Sequence, residues 1–115
     1  EPNMGPSWDA YKPVLDLANH QNVLMKISDI HNRSESDQHP FADMHDVIKM
    51  AIDSFGIDRV MWGTGYPGYH RVEHGWLSLA DELKLVNEGF DWLREDERAK
   101  YLGENAMSIW NWDSE

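Results

Sequence analysis

Two runs of residues in this chain have a spacing that could do chemistry. His70-Arg71-Val72-Glu73-His74 fits H-x-x-E-H. On a helix, histidines at i and i+4 share a face and could hold one zinc ion, with the glutamate as base. Pro67 and Gly68 precede the run and Gly75 comes after it, leaving room for little more than one helical turn. As a loop, the same run would offer one or two side chains to a substrate. Gly63-Thr64-Gly65-Tyr66-Pro67-Gly68 fits G-x-G-x-x-G, in which glycines let the backbone approach a pyrophosphate. That fingerprint needs a second strand ending in an acidic ribose ligand, but the next segments are a histidine-rich loop and a helix. The plainer reading is a tight turn leaving a strand.

Lys26 is the one charge in an otherwise apolar strand pattern, Val23 to Ser28. Val23, Met25 and Ile27 would face one way, and Leu24, Lys26 and Ser28 the other. If the first set packs on helices, Lys26 and Ser28 point into an interior. There a buried lysine needs either an anionic substrate or a structural carboxylate partner. His31 comes directly after this strand and so has some claim to a site. His20, His39 and His45 read as surface or loop residues, with His45 facing solvent near the start of a helix. The run Arg94-Glu95-Asp96-Glu97-Arg98 reads as capping charge on a solvated helix start.

These residues need elements to position them. Trp8 to Ala18 suits a helix interrupted or begun at Pro13. Met44, Val47, Ile48, Ala51, Ile52 and Phe55 have helical spacing, with Asp43 as N-cap and Gly56 as the stop. Arg59 to Thr64 reads as a second strand. Ser78 is an N-cap candidate for a helix with an apolar stripe of Leu79, Leu83, Val86 and Phe90. A helix from Asp96 to Leu102 would end at Gly103. A last one, near Asn105 to Trp110, would turn Ala106, Ile109 and Trp110 inward. Strands separated by helices imply parallel pairing. The loops leaving the strands, Asp29–Asp43 and Gly65–Trp76, are long, and the connections entering them are short. In α/β barrels and open α/β sheets alike, the loops after the strands build the site.

The chain has 115 residues, too few for a closed eight-fold barrel of about 250. Its net charge of −11 argues against a nucleic-acid partner. No apolar run is long enough for a membrane span and no signal-peptide pattern opens the chain, so the expected location is cytoplasmic. Without cysteine there is no disulfide, thiolate metal site or thiol nucleophile. Six tryptophans suit core packing better than a ligand cage. The chain begins at Glu1 rather than methionine, and residues upstream are expected.

Asp58-Arg59-Val60-Met61-Trp62-Gly63-Thr64-Gly65-Tyr66-Pro67 resembles the D-R-[VL]-[ML]-[WF]-G-[ST]-D-[YW]-P motif of amidohydrolase-related metal-dependent hydrolases, which include lactone hydrolases and decarboxylases. Asn22–Ser28 is similar to that family's strand seven, N-V-x-x-K-x-S, and Leu102–Trp110 to its closing helix, x-G-x-N-A-x-x-x-[WY]. The resemblance implies an α/β fold. The chain, residues 1–115, would be the C-terminal segment of a single TIM-like (β/α)8 barrel domain: its last two βα units and closing helices. It also implies a divalent metal, usually zinc, at the strand ends of a full-length parent. Most family ligands would lie upstream of Glu1, and the family's aspartate falls on Gly65, which cannot bind metal. His70, Glu73 or Asp29 would then take over that carboxylate's role, or the metal would be held without it, or metal chemistry would be lost and this chain would carry none.

The leading expectation is a part of a metal-dependent hydrolase or decarboxylase acting on a small carboxylate or lactone. His70 and His74 would be catalytic, and Lys26, Ser28, Tyr66 and Arg71 would bind substrate. The competing expectation is a non-catalytic, barrel-derived binding or scaffold protein. Two strands alone leave open edges, so the 115 residues are expected to be inactive by themselves and to associate with missing barrel units or with another copy.

Overall fold

The structure is a computed structural model that describes residues 7–36, 38–66 and 77–111. Helix α1 (Ser7–Asp16) runs on through a 3-10 turn at Leu17–Asn19 and leads to strand β1 (Met25–Ile27). A single helical turn, α2 (Ile30–Arg33), and a 3-10 turn at Ala42–Met44 lead into helix α3 (His45–Phe55). Another 3-10 turn, Ile57–Arg59, enters strand β2 (Val60–Trp62). Helix α4 (Leu79–Lys84) widens into a π turn at Leu85–Gly89. Helix α5 (Glu95–Ala99), a π turn at Lys100–Glu104 and helix α6 (Asn105–Trp110) form one unbroken rod.

The fold is mixed α/β, with two parallel strands. Met25 pairs with Val60, Lys26 with Met61 and Ile27 with Trp62. Helix α3 connects the strands and packs on both of them and on α1. Its stripe behaves as the spacing predicts: Ile48, Ala51 and Phe55 are buried, and Gly56 ends the helix at φ +80° with its N–H on Ile52 O. Val23, Met25 and Ile27 pack against the core, as expected, beside the fully buried Val60. Leu85, Val86, Phe90 and Tyr101 close it from the C-terminal half.

The N-terminal end of the sheet is held by side chains that bind backbone. Arg59 donates to the carbonyls of Ala18 (2.9 Å), His20 (2.8 Å), Val23 (3.2 Å) and Phe55 (2.9 Å). Buried Asn105 donates through Nδ2 to Ile57 O (2.6 Å) and Val60 O (3.0 Å). Arg98 donates to the carbonyls of Val86, Phe90 and Leu93, fastening the end of the α4 rod. Two pieces of the resemblance, the arginine of D-R and the asparagine of N-A, are therefore framework.

Several local expectations are corrected. Asp43 does not cap α3; its carboxylate accepts from Ser34 Oγ and Glu35 N and cinches the loop after β1. Gly103 does not stop a helix, because the wider π turn carries the rod through it. Leu79 and Leu83 are exposed, at 41% and 40%, while Glu82 is buried between them. The buried face of this rod runs through Glu82, Leu85, Val86 and Gly89. Trp110 is half-exposed rather than packed inward. His45 does not face solvent. Its Nδ1 accepts from Trp92 Nε1 (3.0 Å) and its ring meets Phe90 edge-on at 4.9 Å. That bond leaves the ring proton on Nε2, which donates to Pro40 O at 2.7 Å.

Candidate functional site

The C-terminal ends of the strands are where the loops leave, and two glycines clear the space there. Gly63 N donates to Ile27 O (2.8 Å), so the sheet ladder reaches one residue past β2. A Cβ on Gly63 would stand 3.0 Å from Lys26 Cδ, 3.1 Å from Lys26 Cγ and 3.3 Å from Ser28 Cβ. The Lys26 stem therefore lies across bare backbone, and Ser28 sits beside it. A Cβ on Gly65 would stand 3.3 Å from both carboxylate oxygens of Asp29. The chain after β1 supplies the side chains, and the chain after β2 supplies the room.

Backbone conformation aims Asp29. It sits at φ 57°, ψ 40°, a left-handed conformation that aspartate tolerates better than most residues. From there Ile30 drops into the core and the carboxylate turns towards Gly65. Its Oδ1 is buried and has no hydrogen-bond partner. Lys26 does not neutralise it. Lys26 is exposed, against the expectation of a buried lysine, and makes no ion pair among the described residues. Its ammonium can therefore meet an incoming anion without first giving up a partner.

One turn further on, His31 Nδ1 lies 3.5 Å from Glu82 Oε1, with the two side chains 7% and 5% exposed. The His31 ring also leans on Phe41. This contact ties α2, after the first strand, to α4, after the second, and makes an ion pair when His31 is protonated. Sequence reading gave His31 only its place after a strand and missed Glu82 entirely. The usable signal was an acid flanked by leucines that end up exposed while it is buried.

Of the expected site residues, Lys26 and Ser28 come together over Gly63. Tyr66 is 60% exposed, and its N–H donates to Thr64 Oγ1 at 3.1 Å. His70, Arg71, Glu73 and His74 lie outside the described residues.

Among the described residues, no three His, Asp or Glu side chains come close enough together to hold a metal ion. One carboxylate oxygen does suit a divalent cation: Asp29 Oδ1, hard, buried and without a donor. It fits as a single ligand, and the described residues do not complete a coordination shell. Among them, no helix is long and apolar enough to cross a membrane.

The amidohydrolase family model matches this chain over residues 4–112. No curated protein and no solved structure matches it. With nearly its whole length covered by that model, the chain belongs to the amidohydrolase family.

Proposed function

We propose that this amidohydrolase-family chain forms one wall of a metal-dependent active site that hydrolyses or decarboxylates a small anionic organic molecule. Family membership points to metal-dependent, hydrolase-like chemistry. The observation that carries the more specific reading is the grouping of Lys26, Ser28 and Asp29 over the bare backbone of Gly63 and Gly65, at the C-terminal end of parallel strands. In α/β architectures that end holds the site. In this reading the two strands and their helices are the last part of a TIM-like barrel. The open sheet edges are covered by the remaining barrel units or by a second copy of the chain.

The chemistry assigned to this wall comes from its charges. Lys26 Nζ donates to a substrate carboxylate or to a lactone-derived carboxylate, joined by Arg71, whose planar fork suits bidentate contact. Ser28 donates its hydroxyl hydrogen beside it. A divalent metal, when bound, lowers the pKa of its water or polarises a carbonyl. His70 or His74 holds or moves a proton at that centre.

The test is turnover of a lactone and of a small carboxylic acid by the purified protein, before and after chelation. Chelation is expected to abolish turnover and added Zn2+ or Mn2+ to restore it. Lys26→Ala is expected to raise KM for the anionic substrate about 10- to 100-fold, the loss of one charge-assisted hydrogen bond, with a smaller change in kcat. His70→Ala and His74→Ala are expected to lower kcat or metal content. No turnover with any metal, together with retained binding of a small carboxylate, would favour a non-catalytic binding protein.

A further inference from the structure

We propose that the Asp29 carboxylate is this chain's ligand for a divalent cation, delivered from the end of β1 into space that exists because residue 65 has no side chain. The inference rests on the metal-dependent reading above and names the residue through which this wall would meet the metal.

Three observations carry it. The first is direction. Both Asp29 oxygens lie 3.3 Å from the position of a Gly65 Cβ, while Asp29 Cγ lies 3.7 Å away. The carboxylate therefore presents its open edge to Gly65. The second is exclusion. A Cβ at 65 would be in tight contact with both oxygens, and any atom beyond it would compete with them for the same space. One carboxylate can stand here, supplied either from position 29 or from position 65, and in this chain it comes from 29. The third is unmet bonding. Oδ1 is buried without a donor, whereas buried carboxylate oxygens are ordinarily hydrogen-bonded, paired or bound to a metal.

The backbone fits this assignment. Asp29 (φ 57°) and Gly65 (φ +68°) both lie in the left-handed region and face each other across the two strand ends. Nearby cations do not compete. Lys26 makes no ion pair with Asp29, and the His31 ring is directed to Glu82.

The experiment uses purified protein stripped with a chelator and titrated with Co2+, read by its visible d–d absorption, which reports ligand type and geometry without any turnover. Asp29→Asn is expected to weaken Co2+ binding about tenfold or more and to shift the band. Asp29→Asn combined with Gly65→Asp, which returns a carboxylate from the other side, is expected to recover most of the affinity. Should the Asn variant unfold, Asp29→Glu carries the same test, because moving the oxygens shifts the band while the charge stays. Unchanged affinity and band in Asp29→Asn would overturn the inference and leave the metal-dependent reading standing. Lost turnover with an unchanged Co2+ spectrum would also overturn it, making Asp29 a proton acceptor instead. A wild-type protein that takes up no Co2+ would overturn both.

Discussion

At the N-terminal end of the two strands, Arg59 donates to four backbone carbonyls and Asn105 to two. At the C-terminal end, Lys26 has no ion-pair partner among the described residues and Asp29 Oδ1 is buried without a donor. The first end uses charge and amide to saturate backbone that would otherwise be left unpaired, which stabilises the fold. The second leaves charged groups with bonding capacity for something else. Parallel α/β folds divide labour this way because backbone carbonyls and loops emerge at the strand C-termini, while the opposite end serves only to hold the strands. The difference also bears on motif reading, since the recognisable D-R and N-A pieces fall at the holding end.

Substitutions at the two ends should therefore move stability in opposite directions. The largest effect is expected from Arg59→Ala, which strips donors from four carbonyls at once and should cost about 3 kcal/mol in denaturant unfolding. A loss below about 1 kcal/mol would break the comparison. Asn105→Ala should cost about 2 kcal/mol, because two carbonyls lose their donor at a buried site.

Tyr101→Phe sharpens the contrast from inside the core. The Tyr101 hydroxyl is buried without a partner, and burial pushes its pKa well above the ordinary phenol range. Removing it should leave stability unchanged or raise it by about 1 kcal/mol, whereas a clear loss in Tm would reveal a partner for the hydroxyl.

The smallest effect is the acid limb of loop order after β1. Slight burial pushes the Asp43 carboxyl up, but hydrogen bonds from Ser34 and Glu35 and the nearby His45 outweigh it and hold its pKa below the ordinary value of 3.8. Its contribution is therefore fully present above that value and is lost as pH falls through the lowered one. Asp43→Asn should flatten this part of the stability–pH curve without touching the holding end. An unchanged curve would show that the loop does not depend on the carboxylate.

What could be read from sequence was local. The α3 stripe, the Gly56 stop and the Ser78 cap, whose Oγ accepts from Asp81 N, all come from spacing and residue type within one element. What could not be read depended on partners far along the chain. His45 is buried because Trp92, 47 residues away, donates to it. Glu82 is buried because His31 arrives from another loop, and hydropathy alone favoured the leucines beside it. Lys26 was legible as a site residue but not as an exposed one, since its exposure depends on how far the Gly63 backbone lets its stem lie flat. Asp29 was legible only as one of several acids after a strand, because its aim comes from a left-handed backbone that spacing does not encode.

The π turn at Lys100–Glu104 has a mechanical consequence. It spends one more residue per turn than an α-helix, so it acts as a phase adjuster between two stretches of the same rod. Deleting a single residue there would let the rod close up as ordinary helix with its backbone bonding intact. Everything beyond it would be rotated by about 100°. Asn105 would then swing off the Ile57 and Val60 carbonyls, and the rod would lose its grip on β2 without losing any helix. Length changes that loops absorb at little cost would thus be disabling at this position, although every residue around it reads as plain helix.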